Sequence, residues 1–202
     1  MKECVLYIHG RGGSAAEREH YIPLFPGRQV IGLDYRSAVP WEAETEFCAA
    51  VAQLKKEYAR ITLVANSIGA YFAMCAGLDG FVTKAYFISP IVDMEGVIRN
   101  LMRLAGVTEE ALKAKKVIPT AFGEDLLWDY LCYARSHPVR WNAPAAVLYG
   151  ANDNFTSYET VFAFANACGA GITVMENGEH WFHTPPQTAF LDDWIRRNEN
   201  QP

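Results

Sequence analysis

Three residues carry side chains suited to nucleophilic catalysis by an alcohol: Ser67, Asp153 and His180, met in that order along the chain. Ser67 sits in Ala65-Asn66-Ser67-Ile68-Gly69, between the run Ile61-Thr62-Leu63-Val64 and the apolar run Ala70–Met74. A serine flanked by small residues at −2 and +2, between strand and helix, reads as a nucleophile elbow. The turn holds the hydroxyl above the sheet, and its neighbours must be small because strand and helix backbones nearly touch there. The pattern is A-x-S-x-G rather than G-x-S-x-G, one methyl group larger at −2. Alone, a serine in front of a helix is more often an N-cap than a nucleophile. Asp153 ends Leu148-Tyr149-Gly150-Ala151-Asn152-Asp153, where it is an acid at a strand's carboxyl end or a cap for a helix at Thr156. His180 lies in Glu176-Asn177-Gly178-Glu179-His180-Trp181-Phe182-His183, a loop leading to the last helix. The chemistry these types allow is specific. An alcohol near neutral pH needs a base within hydrogen-bond reach, and the imidazole needs a carboxylate to fix its tautomer. After the first strand, His9-Gly10-Arg11-Gly12-Gly13-Ser14 forms a glycine turn whose N–H groups can face a developing oxyanion. Neither phosphate-loop pattern can be written through it.

The elements that must position these residues are legible as a rhythm. Short apolar runs recur at Cys4–Ile8, Gln29–Leu33, Ile61–Ala65, Ala85–Ile88, Ala145–Tyr149 and Ile172–Met175. Continuous runs of this kind are strands buried on both faces, as in a parallel sheet. Between them, helical periodicity covers Trp41–Tyr58, Ile68–Leu78, Thr156–Cys168 and Pro185–Arg197. The alternation predicts a doubly wound α/β fold: a mostly parallel six-stranded sheet, helices on both faces, right-handed crossovers. In such sheets sites lie at the carboxyl ends of the strands, where Ser67, Asp153 and His180 all fall. One interval breaks the rhythm. Residues 93–142 separate two strands by far more than the dozen residues a crossover needs. This insertion carries helical patterns at Met94–Ala105, Thr108–Lys116 with Thr108 as N-cap, and Gly123–Ser136.

Four motifs in order, H-G-R-G-G, A-N-S-I-G, L-Y-G-A-N-D and G-E-H-W-F-H, give the chain a resemblance to the α/β-hydrolase superfamily over essentially its whole length. It resembles the small six-stranded members, with 93–142 where that superfamily places a helical cap or lid. The resemblance implies Ser67 as nucleophile, His180 as general base and acid, and Asp153 as the orienting carboxylate. It also implies the backbone N–H groups of Arg11 and Ile68 as oxyanion donors. His183 and Asp93 are the rivals of His180 and Asp153, and the family loop favours His180. His9 is expected to support the first turn, and Asp34 to lie on a strand towards the sheet edge.

The implied activity is cleavage of an ester, thioester or amide through an acyl-enzyme, carboxylesterase-like. Acyl transfer or a lyase reaction on the same scaffold is the alternative, as is a binding protein retaining the fold. Within the insertion, Leu127 and Trp128 are expected to contact the substrate and to favour apolar acyl or aromatic groups. Arg11 is a candidate contact for a substrate carboxylate. The net charge of −5 and the absence of any Lys/Arg cluster beyond pairs argue against nucleic acid or an anionic membrane as partner. A small-molecule acyl substrate is expected instead. The five cysteines form no C-x-x-C pair, which fits reduced thiols and a cytoplasmic location. No His/Cys/Asp grouping has metal-ligand spacing, so neither metal nor cofactor is expected.

Overall fold

The computed structural model describes residues 2–200. In chain order the strands and α-helices are β1 (Glu3–Ile8), α1 (Arg18–Tyr21), β2 (Gln29–Gly32), α2 (Pro40–Glu57), β3 (Arg60–Asn66), α3 (Ile68–Cys75), β4 (Lys84–Ile88), α4 (Met94–Leu104), α5 (Glu109–Lys115), β5 (Val117–Pro119), β6 (Asp125–Leu127), α6 (Trp128–Ser136), β7 (Ala145–Gly150), α7 (Tyr158–Ala167), β8 (Gly171–Met175) and α8 (Pro185–Glu199). The chain divides into two compact units: a larger one that runs to Val92 and resumes at Arg140, and a smaller one, Asp93–Val139.

The larger unit is built on one six-stranded sheet, order β2-β1-β3-β4-β7-β8, in which every pairing is parallel. The side-chain period of two divides each strand between the faces. Val5, Tyr7, Val64, Tyr86, Ile88, Ala146 and Leu148 join Tyr21, Phe25, Leu191, Trp194 and Ile195 in one buried cluster, the layer of α1 and α8. The alternate positions meet the layer of α2, α3 and α7, where Phe47 stands edge-on to Phe72, and Phe87 edge-on to Phe164. Burial on both faces explains why the inner strands β1, β3, β4 and β7 read as continuous apolar runs rather than alternating ones. Asp34 follows β2, the edge strand, two strands from the Ser67 strand β3.

The smaller unit contains α4, α5 and α6 with an antiparallel pair, β5 and β6. Thr108 caps α5 by accepting the Ala111 N–H at 3.2 Å, as its position predicts. The third helix departs from the expectation. It starts at Trp128 rather than Gly123, because Gly123, at φ 82°, lies in the turn between β5 and β6. The smaller unit is also shorter than the 93–142 interval. Trp141 stands edge-on to Phe87, and the Asn142 amide donates to Asp79 at 2.7 Å, so both pack in the larger unit.

Candidate active site

Ser67 occupies the turn between β3 and α3 with φ 52° and ψ −120°, a region costing a non-glycine residue roughly 1–3 kcal/mol. Main-chain bonds hold it there. Its N–H donates to Ile88 O at 3.0 Å, and its carbonyl accepts from Ala70 at 3.1 Å and Ile91 at 3.3 Å. The small residue at +2 has a cause different from the one the motif suggests. A Cβ on Gly69 would meet His9 O at 2.3 Å and Ile8 O at 3.0 Å, so the close approach is of α3 to the end of β1. At −2, the Ala65 methyl is accommodated at zero exposure.

Three sequence-predicted residues come together. Ser67 Oγ lies 2.7 Å from His180 Nε2, and His180 Nδ1 lies 2.6 Å from Asp153 Oδ2. The carboxylate can only accept, so Nδ1–H donates to it and Nε2 keeps a lone pair for the Ser67 hydroxyl. The Asp153 side chain is 1% exposed and that of His180 15%. Asp153 has a second attachment: Oδ1 accepts the Phe155 N–H at 2.8 Å and the Thr156 N–H at 3.2 Å. Helix α7 itself is capped by Ser157.

The loops bearing the acid and the histidine interlock. Ala151 N–H donates to Met175 O at 2.9 Å, and Asn152 N–H to Gly178 O at 2.8 Å. Gly150 and Gly178 make this possible: a Cβ on Gly150 would stand 2.5 Å from the carbonyl oxygens of both Gly178 and Glu179. On the other side of Ser67 comes the glycine turn. A Cβ on Gly10 would approach Ser67 Cβ to 3.2 Å. Arg11 follows Gly10 directly, and its charge acts on the Tyr35 phenol, whose pKa burial raises. Ile68 opens α3, so its N–H has no carbonyl one turn earlier to bond. His9 supports the turn, with Nδ1 donating to Gly10 O at 2.8 Å and its ring stacked 4.3 Å from Tyr35.

The rivals have other partners. His183 is exposed, with Nδ1 on Trp181 O at 2.7 Å and its ring stacked on Trp181. Asp93 caps α4 through the Gly96 N–H at 2.9 Å. Leu127 ends β6 and Trp128 begins α6, both half-buried, and the amines of Lys113 and Lys116 lie 5.8 and 5.7 Å from the Trp128 ring centre. Among the described residues no group of three His, Cys, Asp or Glu side chains could hold a metal ion, and no helix is long and apolar enough to cross a membrane.

Solved structures match this architecture over nearly the full chain. Est1E from Butyrivibrio proteoclasticus aligns with 98% of this chain and 88% of its own, at a TM-score of 0.77 and 16% identity. The chain has the α/β-hydrolase fold. Alpha/beta hydrolase domain-containing protein 10 from mouse aligns at a TM-score of 0.76 and 14% identity, covering 97% and 89% of the two chains. The Pyrococcus furiosus esterase Pf2001 gives 0.64 and 20% identity, covering 98% and 80%. No protein-family model and no curated protein sequence matches.

Two residues beside this candidate site lie outside the sequence motifs. Gln187 is 5% exposed; its Oε1 accepts the His183 N–H at 3.2 Å and its Nε2 lies 3.4 Å from Glu179 Oε2, tying α8 to the histidine loop. The available signal was a polar residue four before Leu191, on the buried stripe of an amphipathic helix. Phe155 is 52% exposed, with its ring 4.6 Å from that of His180. Only its place two residues after Asp153 pointed to it.

Proposed function

We propose that this chain is a serine hydrolase cleaving a carboxylic ester through an acyl-enzyme on Ser67. The observation that carries the reading is the unbroken hydrogen-bond chain from Ser67 Oγ through His180 to Asp153, at 2.7 and 2.6 Å. His180 Nε2 takes the hydroxyl proton as Ser67 Oγ attacks the acyl carbon, and the adjacent carboxylate stabilises the resulting imidazolium. The negative charge on the former carbonyl oxygen is met by the N–H groups of Ile68 and Arg11, fixed donors worth roughly 3–4 kcal/mol each in comparable sites. Collapse expels the alcohol, which receives the Nε2 proton. Water then repeats the sequence on the acyl-enzyme, returning the acid and free Ser67. The esterases among the structural neighbours support the reaction class.

The test is covalent labelling with a fluorophosphonate, alongside hydrolysis of short acetate esters. Wild type is expected to take up one equivalent on Ser67 and to turn the esters over. Ser67→Ala should lose both, with kcat down several orders of magnitude and an unchanged fold, since only the oxyanion donors and binding remain. Stoichiometric labelling of the alanine variant would refute the assignment.

A further inference from the structure

Phe155 is an expensive residue to leave half in water, and its placement is held from several sides. Asp153 Oδ1 accepts its N–H at 2.8 Å, and the next N–H, of Thr156, at 3.2 Å. The Thr156 carbonyl in turn accepts the buried Tyr149 hydroxyl at 2.9 Å. The carboxylate that takes His180 Nδ1 therefore also fixes the turn that presents the Phe155 ring. That ring lies 4.6 Å from the imidazole, inclined at 45°, and remains 52% exposed. Packing inside the fold thus accounts for only part of its surface.

Resting on the esterase reading, we propose that Phe155 is a specificity residue for the leaving group, and that the preferred leaving group is a neutral alcohol bearing an aromatic ring. The reaction itself sets the side. When the tetrahedral intermediate collapses, the bond from the acyl carbon to the leaving oxygen breaks and its electron pair goes to that oxygen. The Nε2 proton of His180 follows, the alcohol departs, and the acyl group stays on Ser67. The leaving oxygen must come within hydrogen-bond reach of Nε2. Its substituent then lies alongside the imidazole, where Phe155 stands, whereas the acyl group points away from His180. An aromatic substituent gains an edge-to-face or offset-stacked contact with the exposed ring. Charge selects further. The segments Ala151–Ser157 and Glu176–Thr184 contain no lysine or arginine and carry Asp153, Glu176 and Glu179. An anionic leaving group, such as a nucleotide-bearing thiol, meets repulsion there.

The experiment compares benzyl acetate with cyclohexylmethyl acetate, which share an acyl group and closely match in size and leaving-group basicity. Both form the same acetyl-enzyme, so their ratio of kcat/KM reports acylation alone. Wild type is expected to favour the benzyl ester by about 3–10-fold, the size of an aromatic pair contact. Phe155→Ala and Phe155→Leu should each bring the ratio to within twofold of unity, the leucine variant retaining apolar area but no ring. Phe162→Ala, which removes a comparably exposed ring that stacks on Tyr158, should leave the ratio at the wild-type value. A wild-type ratio near one, or a ratio unmoved by both Phe155 variants, overturns the inference. Fluorophosphonate labelling of Ser67 without turnover of either ester overturns it too and leaves the serine-hydrolase reading standing. Failure to label Ser67 removes both.

Discussion

Gly150→Ala tests whether the interlocked loops are what seat His180. The substitution adds one methyl group, at a position where it would meet Gly178 O and Glu179 O at 2.5 Å and Gly178 C at 2.6 Å. All three are main-chain atoms of the segment that ends in His180, so no side chain can rotate away. To restore an ordinary 3.4 Å contact from 2.5 Å, the loop must retreat by about 0.9 Å, because packed backbone does not compress. Applied to His180, that shift stretches the 2.7 Å bond to Ser67 beyond useful length. A misplacement of about 1 Å costs on the order of 100-fold in rate. Overpacking of this kind also destabilises by about 1–3 kcal/mol. The assay is kcat/KM on a short ester together with thermal unfolding. Gly171→Ala is the control, since a Cβ there meets nothing within 4 Å. It should match wild type in both measurements. A folded Gly150→Ala variant within threefold of wild-type kcat/KM would refute the reasoning, because the close approach would then not govern where His180 sits.

Asp153→Asn should keep the fold, since the amide oxygen can still accept the Phe155 and Thr156 N–H groups while the amide nitrogen faces Nδ1. That forces the wrong tautomer, and kcat should fall by about 10⁴, with a normal circular dichroism spectrum and Tm as the controls. Asp93→Asn should leave activity within twofold of wild type and stability nearly unchanged, asparagine being an equally good N-cap; the reverse pattern in the two variants would move the acid to Asp93. In the smaller unit, hydrogen bonds from Arg99 and then Arg135 hold the Glu95 carboxyl below its ordinary 4.5, and Arg135 does the same for Glu109. Depressed carboxylate pKa values contribute stability that is present above their unfolded values and is lost as pH falls through the folded ones. Amide protection factors across α4, α5 and α6, taken relative to the intrinsic exchange rate at each pH, should therefore fall more than those of the β-sheet between pH 5 and 3. Because these groups are exposed, 1 M salt or Arg135→Gln should produce the same selective loosening at neutral pH. Equal loosening of both regions would remove the special role of the network.

What could be read from the sequence follows the range of the interactions involved. Strands β1, β3, β4 and β7 are continuous apolar runs because both sheet faces are covered, so burial itself writes the signal into the local sequence. The pair β5 and β6 offered no such signal. Each is three residues long, and Gly123 between them reads as readily as the start of a helix as it does a turn. The contacts that seat the site were invisible for a different reason. Nothing local to Gly150 distinguishes a glycine that another loop's carbonyls crowd from one that only ends a strand, and Gly69 presented its true neighbour only once β1 lay beside α3.

Asp153 carries this furthest. Its sequence context offers two competing readings, a turn cap for the residues that follow and a carboxylate for a distant histidine. The structure uses both oxygens at once, Oδ1 on the Phe155 and Thr156 N–H groups and Oδ2 on His180 Nδ1. The readings were never exclusive, because a carboxylate has lone pairs enough for both. The cap is also what makes the second contact well aimed. Two main-chain donors fix the side-chain rotamer of Asp153, and the conformational freedom that a lone aspartate would lose on meeting His180 is lost instead within a short turn. A local capping signal at a strand's carboxyl end is therefore evidence for an oriented acid, and reading it as the bland alternative discards the feature that positions the histidine's partner.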